Sequence, residues 1–266
     1  MINCSNINGE RFEADRLEKF DNRKDIEELI SVIKGGRILE VGCGTGKIIQ
    51  ELSKNISNST FVGVDISGYM IKIARKKGIK NARFIKSEST KMFFKENSFD
   101  YVIFRDSIHE IHETSGYEGM KLSLAKAYYF LKPGGKLIIR DAIVPPKKKI
   151  MIKISAEHRI IFDRFKKNFS RKISYNEKKD GSMCLWANDI IEFFSETKKI
   201  ETRNCDIVIN ESKHLSLEQY KKIMDKYGFK QNEIRLYKFQ KRLIPSYISV
   251  KMADLPYTYC MLVYEK

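Results

Sequence analysis

The sequence has little of what staples or anchors a chain. It has five cysteines in 266 residues (Cys4, Cys43, Cys184, Cys205 and Cys260). No two of them make a C-x-x-C pair, which argues against a disulfide framework or a structural zinc site. No apolar run approaches the roughly 18 residues that a bilayer span needs. The N-terminal stretch "MINCSNINGERFEADR" has no apolar core of the secretory kind, so the expected location is the cytoplasm. Internal repeats and low-complexity blocks are missing, and there is a single tryptophan, Trp186. Charge is not scarce: the net balance is +16, with the excess heavier after Pro145. Lysine outnumbers arginine, and no arginine cluster is interleaved with aromatics. The basic half therefore reads first as solvated lysine faces, with nucleic acid a lesser alternative and "RFKKNFSRK" (164–172) its best contact.

What is present is an alternation of strand and helix patterns. Residues 11–34 carry apolar positions at helical spacing. "RILEVG", "TFVGVD", "ARFIKS", "FDYVIFRDS" and "KLIIRDAIV" read as strands, with helices between them and a turn at "KPGG". This order predicts a doubly wound, Rossmann-like α/β fold with a mostly parallel sheet. After Pro145-Pro146 the rhythm changes. Residues 147–212 read as a helical insertion after the fifth strand, between core segments 1–146 and 213–266. The core resumes with a helix N-capped by Ser216 and closed at Gly228, then two last strands.

The stretch "ILEVGCGTGK" (38–47) ends an apolar run in a carboxylate and then places three glycines at alternate positions. Glycines beyond the carboxyl end of a strand let the backbone approach a ligand closely. The P-loop pattern is absent, and the third glycine comes one residue early for a dinucleotide fingerprint. A carboxylate at Glu40 would repel a pyrophosphate but suits a cationic group such as an α-amine.

With these residues the chain resembles class I S-adenosylmethionine-dependent methyltransferases. "EVGCGTG" looks like their first motif. Asp65, ending "VGVD", matches the acid that grips the ribose hydroxyls. "FIKSEST" matches the segment that meets the adenine, with Glu88 where the family often has Asp. "FDYVIFRDSIHEI" and "LKPGGKLIIRD" match the fourth and fifth strands. The resemblance implies a seven-stranded sheet and a cofactor site of Glu40, Gly42, Cys43, Gly44, Gly46, Asp65, Ile66, Glu88, Ser89 and Arg105. S-adenosyl-L-methionine is the implied methyl donor and S-adenosyl-L-homocysteine the product.

Candidate catalytic residues cluster where strands four and five end: Asp106, His109 and Glu110 for proton removal, with His109 best matched to neutral pH, and Arg140 and Asp141 for a polar substrate group. The alternative for Arg140 and Asp141 is a structural ion pair, and for His109 simple packing. "HEIHE" lacks metalloprotease spacing, since His109 and His112 are three apart, so no metal is expected. The insertion, with Phe162, Phe165, Phe169, Phe193, Phe194 and Trp186, is expected to line a substrate pocket as a cap, with Phe12 and Phe20 opposite. Its rival role is a dimerisation arm. The expected activity is methyl transfer to a small-molecule or natural-product acceptor by a monomer or homodimer. RNA methylation and a non-catalytic cofactor-binding module are the alternatives.

Overall fold

A computed structural model describes residues 7–19, 22–202 and 208–266. The chain divides into two compact units. The first holds Met1–Asp141, Lys221–Ile234 and Met261–Lys266; the second holds Ala142–Tyr220 and Arg235–Cys260.

The first unit begins with α1 (Ile7–Lys19) and α2 (Arg23–Val32). The single helix expected over 11–34 is thus two, because Asn22 leaves helical geometry at φ −100°, ψ 7°. Then follow β1 (Gly36–Val41), α3 (Lys47–Asn55), β2 (Ser59–Asp65), α4 (Gly68–Lys76), β3 (Ala82–Lys86), β4 (Phe99–Arg105), α5 (Ile108–Phe130) and β5 (Leu131–Ala142). These strands are continuous apolar runs because both faces of a parallel sheet are covered; Ile38, Leu39, Val102, Ile103, Leu137 and Ile138 are all buried. β1 pairs in parallel with β2 on one side and β4 on the other. β4 runs parallel to β5, with Arg105 opposite Arg140. α5 is broken at Gly116, whose φ of 70° and ψ of 178° lie outside helical geometry.

The second unit contains β6 (Lys149–Ile154), α6 (Arg159–Asn168), β7 (Tyr175–Glu177), β8 (Ser182–Trp186) and α7 (Ala187–Thr202). Beyond α8 (Leu217–Tyr227) and β9 (Lys230–Lys238) come β10 (Ile248–Val250) and β11 (Tyr257–Glu265). α8 opens with a reciprocal capping box: Gln219 N–H donates to the Ser216 hydroxyl and Ser216 N–H to the Gln219 side-chain oxygen. The large sheet has seven strands in the order β3-β2-β1-β4-β5-β11-β9, mostly parallel, as the sequence leads one to expect.

Two readings of the insertion need correction. "KIMIKI" is a strand rather than helix: its burial alternates, with Ile150, Ile152 and Ile154 inward. It belongs to a second, antiparallel sheet ordered β10-β6-β8-β7. The phenylalanines expected to line a pocket, Phe162, Phe165, Phe169, Phe193 and Phe194, are buried with those isoleucines in the unit's own core. Trp186 is the exception, at 42% exposure. Phe12 is exposed, and Phe20 lies outside the described residues.

Candidate functional site

In an open α/β sheet the ligand crevice lies at the carboxyl ends of the strands where the strand order reverses, here between β1 and β4. The loop leaving β1 is pinned there by its backbone. Gly42 and Cys43 N–H both donate to the Val64 carbonyl, at 2.8 and 3.0 Å. Gly42 has φ +78°, and a Cβ on it would stand 2.6 Å from the Ser107 Cβ. This is the close approach between the β1 and β4 loops that requires glycine. Gly44, at φ +50°, is covered by α1: a Cβ there would lie 3.0 Å from Leu17 Cδ1. Gly46, at φ +71°, starts α3. Of the motif's residues, Cys43 contributes only backbone, because its thiol points inward, against Gly63.

Glu40 sits in β1 between Gly63 and Ile103. It is 2% exposed, and its Oε2 has no hydrogen-bond partner among the described residues. Burial pushes its carboxyl up to about 8, against the pull of Arg105. Asp65 ends β2 with its Oδ2 accepting Gly44 N–H and its Oδ1 accepting Ser67 N–H, both at 2.8 Å. Burial raises its carboxyl, opposed by those two amides. Beside it, Ile66 is 58% exposed. Beyond β3, Glu88 pairs with Lys91 at 2.8 Å, and the Ser89 hydroxyl accepts from Ser123 at 2.8 Å. An unpartnered buried carboxylate oxygen, a loop stripped of side chains and an acid on the next strand fit the cationic amine, the chain and the ribose of S-adenosylmethionine.

The ends of β4 and β5 carry a cluster of titratable groups. His109 Nδ1 lies 2.6 Å from Asp141 Oδ1, and its backbone N–H donates to Asp141 Oδ2 at 3.1 Å. Asp141, fully buried, thus caps α5 and orients its first imidazole at once. Burial works to lower the His109 value, but the bond to Asp141, with the charges of Glu110 and Asp106, lifts it to about 9. Glu110 is exposed, and desolvation by the protein around it, opposed by the charge of His109, pushes its carboxyl up to about 7. Asp106 adopts φ 50°, an uncommon conformation for a residue with a side chain. Its N–H donates to the Arg140 carbonyl at 2.8 Å.

Arg105 and Arg140 each carry ion pairs to α2. Arg105 Nη2 bonds Asn22 at 2.9 Å and Asp25 Oδ2 at 2.7 Å. Arg140, 8% exposed, meets Asp25 Oδ1 at 2.7 Å and Glu28 at 3.1 Å. Both guanidinium groups are thus tied to residues of α2 or its N-cap. Sequence reasoning missed Asn22, Asp25 and Glu28, although their three-residue spacing puts them on one helix face. It also missed α1. Glu10 accepts from the Ser67 hydroxyl, and Lys47 reaches back to the Leu17 and Glu18 carbonyls.

A methyltransferase-domain family matches residues 33–184. The ubiquinone/menaquinone biosynthesis C-methyltransferase of Wigglesworthia glossinidia brevipalpis is 37% identical over 115 residues, 41% of this chain and 44% of that protein. Phosphoethanolamine N-methyltransferase 3 of Arabidopsis thaliana is 31% identical over 131 residues, 48% of this chain and 25% of that one. The chain thus spans less than half the length of these relatives. A solved S-adenosylmethionine-dependent methyltransferase from Mesorhizobium loti shares the fold, with a TM-score of 0.60 at 13% identity, over 94% of this chain and 100% of that one. No helix among the described residues is long and apolar enough to cross a membrane.

Proposed function

The chain belongs to the methyltransferase-domain family, whose methyl donor is S-adenosylmethionine, and from that premise we propose that it methylates a small-molecule acceptor. The observation that carries this reading is the His109–Asp141 pair at 2.6 Å, two residues from Ser107, which meets the glycine loop at Gly42.

Glu40 is the group for the cofactor's amine, the 42–46 loop for its amino-acid chain and Asp65 for its ribose. Ile66 would cover one face of the adenine, with Glu88 and Ser89 at its edge. S-adenosylmethionine supplies a methyl group already activated for in-line displacement. The chain's part is to orient the acceptor, exclude water and take up the proton that methylation of an amine or an acidic carbon releases. Asp141 fixes Nδ1 of His109, so exchange with the acceptor falls to Nε2. Asp106, held at φ 50°, is the second candidate for that proton. Asp25, Asn22 and Glu28 act one step back by fixing the two arginines at the strand ends.

The two relatives act on chemically different acceptors, a quinone-type ring and an amino-alcohol phosphate, and both are small molecules. The test is release of S-adenosylhomocysteine with phosphoethanolamine and, separately, with a demethylated quinone. Acceptor-dependent release supports an enzyme. Tight calorimetric binding of S-adenosylmethionine without turnover on a wide panel of small acceptors would replace it with a cofactor-binding module.

A further inference from the structure

The antiparallel sheet of the second unit buries one face in the core it shares with α6 and α7, and its other face carries the exposed residues Lys149, Lys153 and Trp186. β6 turns Ile150, Ile152 and Ile154 inward, and β8 buries Met183 and Leu185. On the outer face Lys149 stands directly opposite Trp186. The Lys149 ammonium lies 5.1 Å from the indole centroid, within cation–π range. Together with the segment leading into β7, these two residues line a cleft of about 290 Å³, to which Lys172, Ser174, Tyr175 and Asn176 contribute.

Three features of this cleft ask for an occupant. The chain's one tryptophan is left 42% exposed, although an indole removed from water contributes more than most side chains. No carboxylate lines the cleft. Neither Lys149 nor Lys172 has an ion-pair partner among the described residues. The nearby acids are engaged elsewhere: Glu177 accepts from both terminal nitrogens of Arg159, and Asp180 accepts from the Ser182 hydroxyl. Lys166, paired with Asp163, also donates to the Tyr175 hydroxyl at 3.0 Å, which holds that ring in place.

We infer that this cleft binds a nucleotide, with the planar base against Trp186 and the phosphate between Lys149 and Lys172. Aromatic stacking joined to unneutralised lysine is the general chemistry of base-and-phosphate recognition. The Ser174 hydroxyl and Asn176 amide supply polar contacts for a base edge or sugar. A volume near 290 Å³ suits one nucleotide, either free or as one unit of a single-stranded RNA. The inference does not depend on the acceptor proposed above.

Because Trp186 is the sole tryptophan, its fluorescence reports on this cleft alone. The full chain, saturated with S-adenosylhomocysteine to block the cofactor site, is titrated with uridine monophosphate, uridine, inorganic phosphate and oligouridylate. Saturable quenching is expected with the monophosphate or the oligomer, and binding about tenfold weaker with uridine or phosphate alone. Affinity for the oligomer well above that for the monomer identifies RNA as the source; equal affinity per nucleotide identifies the free nucleotide. The double variant K149A/K172A should lose about tenfold in affinity with unchanged circular dichroism. W186L, followed by calorimetry, should lose as much. Absence of saturable quenching at millimolar nucleotide, or full affinity in both variants, would overturn the inference.

Discussion

One carboxylate of α2 holds the ends of two neighbouring strands: Asp25 gives its Oδ2 to Arg105 and its Oδ1 to Arg140, each at 2.7 Å. The two arginines are directly opposite in the β4–β5 register. Without Asp25, two guanidinium groups would face each other in a buried site. Asp25→Ala should therefore destabilise the protein by about 3–5 kcal/mol, the range for breaking one partner of a buried pair. Urea denaturation followed by circular dichroism measures this, and a loss below about 1 kcal/mol would mean that Glu28 and Asn22 hold the arginines unaided.

The His109 proton should be visible in the pH profile. His109 in the folded protein sits near 9, against 6.5 ordinarily. The stability it lends is complete below 6.5 and disappears as pH rises through about 9. As a base it works only when neutral, so kcat/KM should climb with pH towards that limb. Asp141→Asn should move the limb down towards 6.5 and lower kcat by about 10²–10⁴-fold. A pH–rate profile identical in wild type and variant removes His109 from the reaction.

Glu40 predicts an opposition between stability and binding. Its folded carboxyl titrates near 8, against 4.5 ordinarily. Between those values the unfolded chain has lost the proton that the folded chain retains, so stability falls as pH rises. Glu40→Gln should raise Tm at pH 8, with the gain shrinking towards pH 5. The same variant should bind S-adenosylmethionine more weakly, by about 1.5–3 kcal/mol, because a charged hydrogen-bond acceptor is gone. Differential scanning fluorimetry across pH, with and without cofactor, reads both signs at once.

The glycine loop and Asp65, the acid proposed for the cofactor's ribose, are mechanically joined by the Gly44–Asp65 bond. Gly44→Val should abolish cofactor binding, since its side chain would enter the space of Leu17 and the cofactor in a backbone conformation that valine resists. Asp65→Ala should cost binding about 1.5–3 kcal/mol and also loosen the loop. Calorimetry finding wild-type affinity in both would discard this cofactor site.

Much of the first unit was legible because parallel strands advertise themselves as short apolar runs between helices, and because a glycine loop has to be bare in sequence to be bare in space. His109 and Asp141 were both visible as candidates, but their partnership was not: 32 residues separate them, and only the β4–β5 register joins them. The partners of the arginines were hidden for a related reason. Strand ends at a crevice suggest ligand contact, and nothing local in "FRDS" or "IRDA" reveals a helix waiting 80 residues upstream of Arg105 and 112 or more upstream of Arg140. In the second unit, "KIMIKI" is too short for period two to separate from period 3.6. Its strand partners lie on both sides of α8, so the antiparallel sheet has no signature in any single window.

Gly116 divides α5 into two pieces with different anchorage. The downstream piece is tied to the core by Met120, Leu124, Ala127 and Phe130. The upstream piece carries His109 and is fastened at its start by Asp141 and Ser107. A residue with φ 70° interrupts the ladder between them, so the two can lose their hydrogen bonds separately. Amide protons of 108–115 should exchange with solvent sooner than those of 120–130. Replacing Gly116 by alanine, where a Cβ meets only open space, would disfavour that backbone angle and press the halves towards one continuous rod. The imidazole would then tilt with the rod's axis, and one residue outside the proposed proton path would set how squarely His109 faces the acceptor proposed for it.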